Sequence, residues 1–362
     1  IIVDANGNGD YETIQAAIDN ATSGRTIYVW AGIYNESIEI DTQLTLVGNG
    51  TSSTIINGTG TSHVVKITEP HISFSGFKLL SIDNLEDGKP YGIYVTSGNT
   101  TIKDNKISSG LSCSSSAGQG IYVSSSNNII HRTVFDGLTN YYLKITGNSN
   151  IITNNSEGGN DCVSFALTLS GNNNYIANNS FSPSHGGLEV AGNGNTLTDN
   201  TMNLYTGNSL GLSGNNNIIK NNEFRHNSDT DIHIKLTNSD NNLIENNEIL
   251  ESDEYGIYFT DSNNNIIRNN TIKDSEYGIY FTDSDDNVIS NNTIKDNGDD
   301  GIYFSNSDNN VISNNTIEDN SDDGILLQDS NNNTISNNKI DNNDDEGIQL
   351  KSSDNNVIHN NT

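Results

Sequence analysis

Residues 269–290 read NNTIKDSEYGIYFTDSDDNVIS, and residues 291–313 read NNTIKDNGDDGIYFSNSDNNVIS. The pattern returns at 314–336 as NNTIEDNSDDGILLQDSNNNTIS and at 337–359 as NNKIDNNDDEGIQLKSSDNNVIH. Within one unit Ile279 and Phe281 alternate with Tyr280, a period-two pattern that turns Ile279 and Phe281 inward and Tyr280 outward. Ser284 and Asn287 follow at a bend, Ile289 is inward again, Asn292 fills the next bend, and Ile294 is inward on the third strand. The same roles recur at Ile302, Phe304, Ser307, Asn310, Ile312, Asn315 and Ile317. Three short strands and three turns per unit, stacked on copies of themselves, make a solenoid. The fold expected is all-β: a single-stranded right-handed parallel β-helix with coils of about 22–23 residues.

Working outward, looser copies reach back to GIYV at 92–95 and 120–123. The expected organisation is one continuous domain. Residues 1–60 form an N-terminal cap and the first coils, 61–245 irregular coils with loop inserts, and 246–362 regular repeats. Residues 11–23 (YETIQAAIDNATS) place Ile14, Ala17, Ile18 and Ala21 on one helical face and predict a short capping helix. The last repeat breaks off at Thr362 with no C-terminal cap, so that end is expected to continue or to pack on another chain or domain.

Composition agrees with a thin, repeated core. Apolar residues make up 32% of the 362, and the formal net charge is −30. Such acidity disfavours nucleic acid and anionic lipid as partners. No apolar run approaches membrane-spanning length, so direct membrane insertion is not expected. Opening on Ile1 rather than Met fits a mature or trimmed chain. Cys113 and Cys162 are about two coils apart, so a disulfide between them needs a reaching loop.

The Asn columns are structural: stacked inward amides can bond up and down the solenoid. Outward columns are the candidates for function. Glu254, Glu276, Asp299, Asp322 and Asp345 precede the strand glycine by two residues in successive coils, with Asp300, Asp323 and Glu346 beside them. This ladder is either a solvated acidic face or a site for a hard cation such as Ca²⁺. Tyr258, Tyr280 and Tyr303 form a parallel outward column, either a cross-strand aromatic ladder or a platform for sugar rings. Sequons at Asn269, Asn291, Asn314 and Asn332 are candidates for N-glycosylation.

The opening segment GNGDYETIQAAIDNATSGRTIYVWAGIYNESIEI resembles that of pectate-lyase-like β-helix proteins. The repeats resemble NosD-type and carbohydrate-binding/sugar-hydrolase β-helix repeats. Gly159-Asn160-Asp161-Cys162-Val163, Ser184-His185-Gly186 and Ile232-His233-Ile234-Lys235 resemble polygalacturonase-type glycoside hydrolases. That resemblance implies Asp161, His185 and Lys235 as catalytic residues. The chain departs from it: Asn160 replaces one aspartate, Asn140-Tyr141-Tyr142 lacks another, and His233 stands for arginine. Glycoside hydrolysis needs two carboxylates, and Asp161 alone supplies one. The expectation is therefore an extracellular, secreted or cell-surface scaffold or adhesin. It binds a polysaccharide or cell-envelope glycan, with Ca²⁺ as the candidate cation, requires no cofactor and is non-catalytic. The alternative is a hydrolase, lyase or epimerase acting on an acidic polysaccharide.

Overall fold

The computed structural model describes residues 1–59, 63–80, 91–109, 118–159, 163–226 and 232–362. Asp161, Cys113 and Cys162 lie outside them, so the expected Asp161 site and the Cys113–Cys162 pairing have no counterpart in the geometry below. The chain is a parallel β-solenoid of about 14 coils. It divides into two compact units, Ile1–Ser184 and His185–Thr362.

In the second unit every coil gives one short strand to each of three parallel sheets. One sheet contains Ile232–Thr237, Tyr255–Thr260, Tyr277–Thr282, Ile302–Ser305 and Ile325–Gln328, each paired with the next. Ile279 pairs with Ile302, Tyr280 with Tyr303 and Phe281 with Phe304, so identical residues stack. The predicted inward residues are all buried. Phe259, Phe281 and Phe304 stack with centroids 4.6 and 4.8 Å apart and rings within 5° of parallel. A Cβ at Gly278 would stand 2.5 Å from the Gly301 carbonyl and 2.6 Å from Ile294, which explains why glycine opens this strand.

Corners carry a two-residue signature that the Asn columns only half revealed. An exposed or half-exposed Asn or Asp adopts positive φ, and the next residue is a buried Asn or Ser. In one coil the pairs are Asn291–Asn292, Asp296–Asn297, Asn306–Ser307 and Asn309–Asn310, with φ of 56°, 57°, 49° and 59° at the first residue of each pair. Asn and Asp pay least among non-glycine residues for this left-handed conformation. The turn then points the second side chain into the solenoid.

There the amides saturate one another. The Asn292 Oδ1 accepts from the Asn270 backbone N–H at 2.9 Å and from the Asn270 Nδ2 at 3.0 Å. The Asn292 Nδ2 donates to the Ile267 carbonyl and to the Asn315 Oδ1, both at 3.0 Å. Asn287, Asn310 and Asn333 form a second column, and Ser284, Ser307 and Ser330 a third.

In the first unit the capping helix runs Ile14–Asp19, shorter than the 11–23 segment, with Thr13 as N-cap. Glu36 accepts from the backbone N–H groups of Ile14 and Gln15 at 2.8 and 2.9 Å, satisfying donors the first turn leaves open. Ile14, Ala17 and Ile18 are buried beneath the helix.

The two positions of a corner should respond differently to substitution. Asn292→Ala strands the Asn270 donors and the Ile267 carbonyl and is expected to cost about 1–3 kcal/mol. Asn291→Ala should cost about 1 kcal/mol of backbone strain, and Asn291→Gly should be nearly neutral. Denaturant melts of the three variants check this; equal losses at all three would contradict it.

Candidate functional site

One outward column of the second unit concentrates chemistry. On the sheet that carries the tyrosines, Glu189 pairs with Gly211, Gly211 with Lys235, Lys235 with Tyr258, Tyr258 with Tyr280 and Tyr280 with Tyr303. The period-two strand pattern makes each of these side chains outward.

The tyrosines of this column are inclined to one another. Tyr258 and Tyr280 are 5.6 Å apart and inclined at 50°, and Tyr280 meets Tyr303 edge-on at 4.6 Å and 73°. Tyr255 and Tyr277, beside the strand glycines, join the group: Tyr277 meets Tyr280 at 85°, and Tyr255 stacks on Tyr258 at 28°. The result is a herringbone of five half-buried rings presenting faces, edges and hydroxyls to one side of the sheet. Edge-on packing follows from the ring quadrupole. Burial, followed by the neighbouring Tyr303, pushes the Tyr280 phenol up to about 12. Tyr277 is shifted further upward by burial and by its hydrogen bond with Asp299.

Through that bond the aromatic group touches the acidic ladder. Asp299, Asp300 and Asp322 bring carboxylate oxygens within 4.8 Å of one another, and so do Asp322, Asp323 and Asp345. Glu254 and Glu276 are exposed and take no part in either group. The ladder is not uniformly solvated: Asp300 and Asp323 are 2% and 1% exposed. The Asp300 carboxylate accepts from the Asp323 backbone N–H at 3.0 Å, and the Asp323 carboxylate from the Glu346 N–H at 2.9 Å. Burial, then the charge of Asp299, pushes Asp300 up to about 7. Burial pushes Asp323 up to about 6. All-oxygen clusters of this kind are chemically suited to a hard divalent cation.

Of the hydrolase-like residues, Lys235 stands at a hollow of about 200 Å³ lined by Glu189, Asn208, Gly211, Leu212, Ser213 and Thr237. His185 is exposed and does not line it. His233 is fully buried, with Nδ1 2.8 Å from the Ser209 Oγ and Nε2 2.6 Å from the Leu250 carbonyl. A nitrogen facing a carbonyl must carry the proton, so the His233 Nε2 donates to Leu250, and a side chain spent on these core contacts is not a stand-in for an outward arginine. Asn269, Asn291, Asn314 and Asn332 are all exposed at left-handed corners, with their side chains outside the solenoid.

Glu189 escaped the sequence reading because GLEV lacks the regular repeat around it. The first unit holds a second missed feature, a cleft of about 570 Å³ beside Asp4, Asn6 and Asn49. Tyr28 and Trp30 line it, 53% and 45% exposed. Their alternation in TIYVW is the signal that could have found them.

Residues 169–284 match the family model described as right handed beta helix region, and residues 234–362 the one described as periplasmic copper-binding protein (NosD). Residues 1–75 match the pectinesterase model. The chain has the pectate-lyase-like right-handed β-helix fold. A probable pectinesterase/pectinesterase inhibitor of Arabidopsis thaliana is 46% identical over 67 residues, 16% of this chain and 12% of that protein's length.

Among solved structures, tailspike protein 3 of bacteriophage CBA120 matches with a TM-score of 0.64 at 14% identity, covering 94% of this chain and 57% of that one. PfbA, a surface adhesin of Streptococcus pneumoniae, matches at 0.54 and 17% identity, covering 92% and 88%. The catalytic domain of a GH87 α-1,3-glucanase in complex with nigerose matches at 0.51 and 14%, covering 100% and 67%. The copper of the NosD description does not fit the matched stretch. Residues 234–362 contain no Cys, no Met and a single His, His359, whereas copper sites draw on imidazole and sulfur. Among the described residues no helix is long and apolar enough to cross a membrane.

The buried aspartates give the unit a pH signature. Between about pH 4 and 7 the folded chain keeps a proton on Asp300 that the unfolded chain has released, so stability falls as pH rises through that window. Asp300→Asn keeps an acceptor for the Asp323 N–H and removes the charge. It should raise the melting temperature near pH 8, by on the order of 2 kcal/mol of stability, and flatten the decline between pH 4 and 7. Thermal melts across that range check it; an unchanged pH profile would contradict it.

Proposed function

We propose that the chain is a non-catalytic, extracellular or cell-surface β-helix scaffold that holds a glycan along the tyrosine column, with divalent cations such as Ca²⁺ on the aspartate clusters beside it. The observation that carries the reading is the five-tyrosine herringbone placed in register with Lys235 on one sheet face. Ring faces and edges suit the apolar sides of sugar rings, and phenol hydroxyls suit their alcohols. Fold alone does not choose between binding and catalysis, since a surface adhesin, a tailspike and a glucanase share it. The surface location rests on the adhesin and on the periplasmic family description. Exposed sequons at Asn269, Asn291, Asn314 and Asn332 are compatible with such a location. The second reading, a polysaccharide-active enzyme, draws on the convergence of Glu189 and Lys235 on one hollow.

Glycan-array binding by the whole chain tests the proposal. Tyr280→Ala with Tyr303→Ala should lower binding at least about tenfold, a loss of about 1.4 kcal/mol, while reducing-end and unsaturated-sugar assays stay silent. Turnover of any polysaccharide would favour the enzyme; unchanged array binding in the double variant would remove the platform. If cations occupy the aspartate clusters, Ca²⁺ should raise the melting temperature and a chelator lower it, with the shift abolished in Asp322→Asn. An identical melt in both would remove the cation from the account.

A further inference from the structure

Both units carry an acid, a lysine and then tyrosines along an outward column, but the acid and the lysine are spaced differently. In the first unit Glu39 pairs with Lys66, Lys66 with Tyr94 and Tyr94 with Tyr122. Glu39 and Lys66 are neighbours and close an ion pair at 2.8 Å. In the second unit a whole coil, represented by Gly211, stands between the acid and the lysine. Adjacent strands lie about 4.8 Å apart, so the backbones of Glu189 and Lys235 are roughly two strand spacings apart. The hollow of about 200 Å³ lies between them.

Gly211 makes room for the acid at that hollow. A Cβ there would come within 2.5 Å of one Glu189 carboxylate oxygen and 2.7 Å of the other. The carboxylate lies over the glycine, half-buried, with no hydrogen-bond donor among the described residues. Burial holds it above the usual carboxylate range, and the ammonium of Lys235 offsets part of that shift. Lys235 is the charged group acting on it: strand Leu210–Leu212 brings none, and His233 on the lysine's own strand points into the core. With no donor from the described residues, the carboxylate takes its hydrogen bonds from what enters the hollow, water or a ligand hydroxyl. On its other side the Lys235 ammonium stands 5.9 Å from the Tyr258 ring centroid, so the hollow opens onto the tyrosine row.

We infer that Glu189, Gly211 and Lys235 form a saccharide subsite for an uncharged hexose unit, at the end of the glycan that continues over Tyr258, Tyr280 and Tyr303. Two neighbouring hydroxyls of the sugar fit its ends, one donating to the Glu189 carboxylate and the other accepting from the Lys235 ammonium. Ser213 and Thr237 add hydroxyls at the rim. Polyuronates are disfavoured. Their carboxylates would meet Glu189 in the hollow and run alongside Glu254, Glu276 and Asp299, with Lys235 the lone cation on the column. This assignment rests on the glycan-binding reading and narrows its ligand class.

Titration calorimetry of the whole chain with neutral hexose oligosaccharides and with oligouronates tests it. Glu189→Gln and Gly211→Ala should each weaken binding of the neutral ligand about tenfold or more, without changing the melting temperature in the glutamine variant. Wild-type affinity should fall on acidification, with a midpoint above the ordinary carboxylate range, and Glu189→Gln should lose that pH dependence. Tighter binding of oligouronates, or neutral-ligand binding that needs Tyr280 but is indifferent to Glu189 and Gly211, would overturn the subsite and leave the tyrosine platform standing. Absence of binding to either class would overturn both.

Discussion

The regular coils depend on the corner, where a left-handed Asn or Asp is followed by an inward Asn or Ser. The first residue makes the turn and the second closes it with hydrogen bonds to the coils on either side. A solenoid with 32% apolar residues cannot rely on a broad core. Its apolar interior is a narrow file of Ile and Phe, and the polar corners must be satisfied or they would cost more than the file contributes. The Asn292 amide shows how completely this is done: its oxygen accepts two bonds and its nitrogen donates two.

Strict stacking has a second effect. With corners fixed, an outward residue in one coil lies directly beside its equivalent in the next, and the surface becomes a set of straight columns. A column of like charges is penalised, and at Asp300 and Asp323 burial first, and the neighbouring carboxylates after it, hold the proton above the usual range. A column of tyrosines relieves its crowding by tilting into a herringbone. A column in which glycine separates acid from base leaves a hollow. One backbone thereby gives three surfaces with different chemistry.

The fold was legible because inward positions repeat: Ile279, Phe281, Asn287 and Asn292 recur in kind at fixed intervals. The exposed partner of each corner was less visible, since Asn291, Asp296 and Asn306 differ in type and share only a backbone angle. Tyr258, Tyr280 and Tyr303 were legible as a column, with Tyr255 and Tyr277 beside it next to the strand glycines, but their tilts depend on ring packing that no spacing encodes. The acidic ladder was legible as a run of charges; that Asp300 and Asp323 turn inward follows from hydrogen bonds to the next coil. Glu189 was not legible, because its meaning comes from an absent side chain at Gly211, one coil away. The capping helix was found and overextended, since Ala21 fits the helical face although the helix stops at Asp19. Asp161 lies outside the described residues.

The central claim is that a single outward column, from Glu189 to Tyr303, carries recognition. A crystal structure of the chain with a bound neutral oligosaccharide tests it most directly. The account predicts sugar rings laid across Tyr303, Tyr280 and Tyr258, with a terminal unit bonded to Glu189 and Lys235. Ordered sugar on either of the other two sheets, with this column bare, would contradict it.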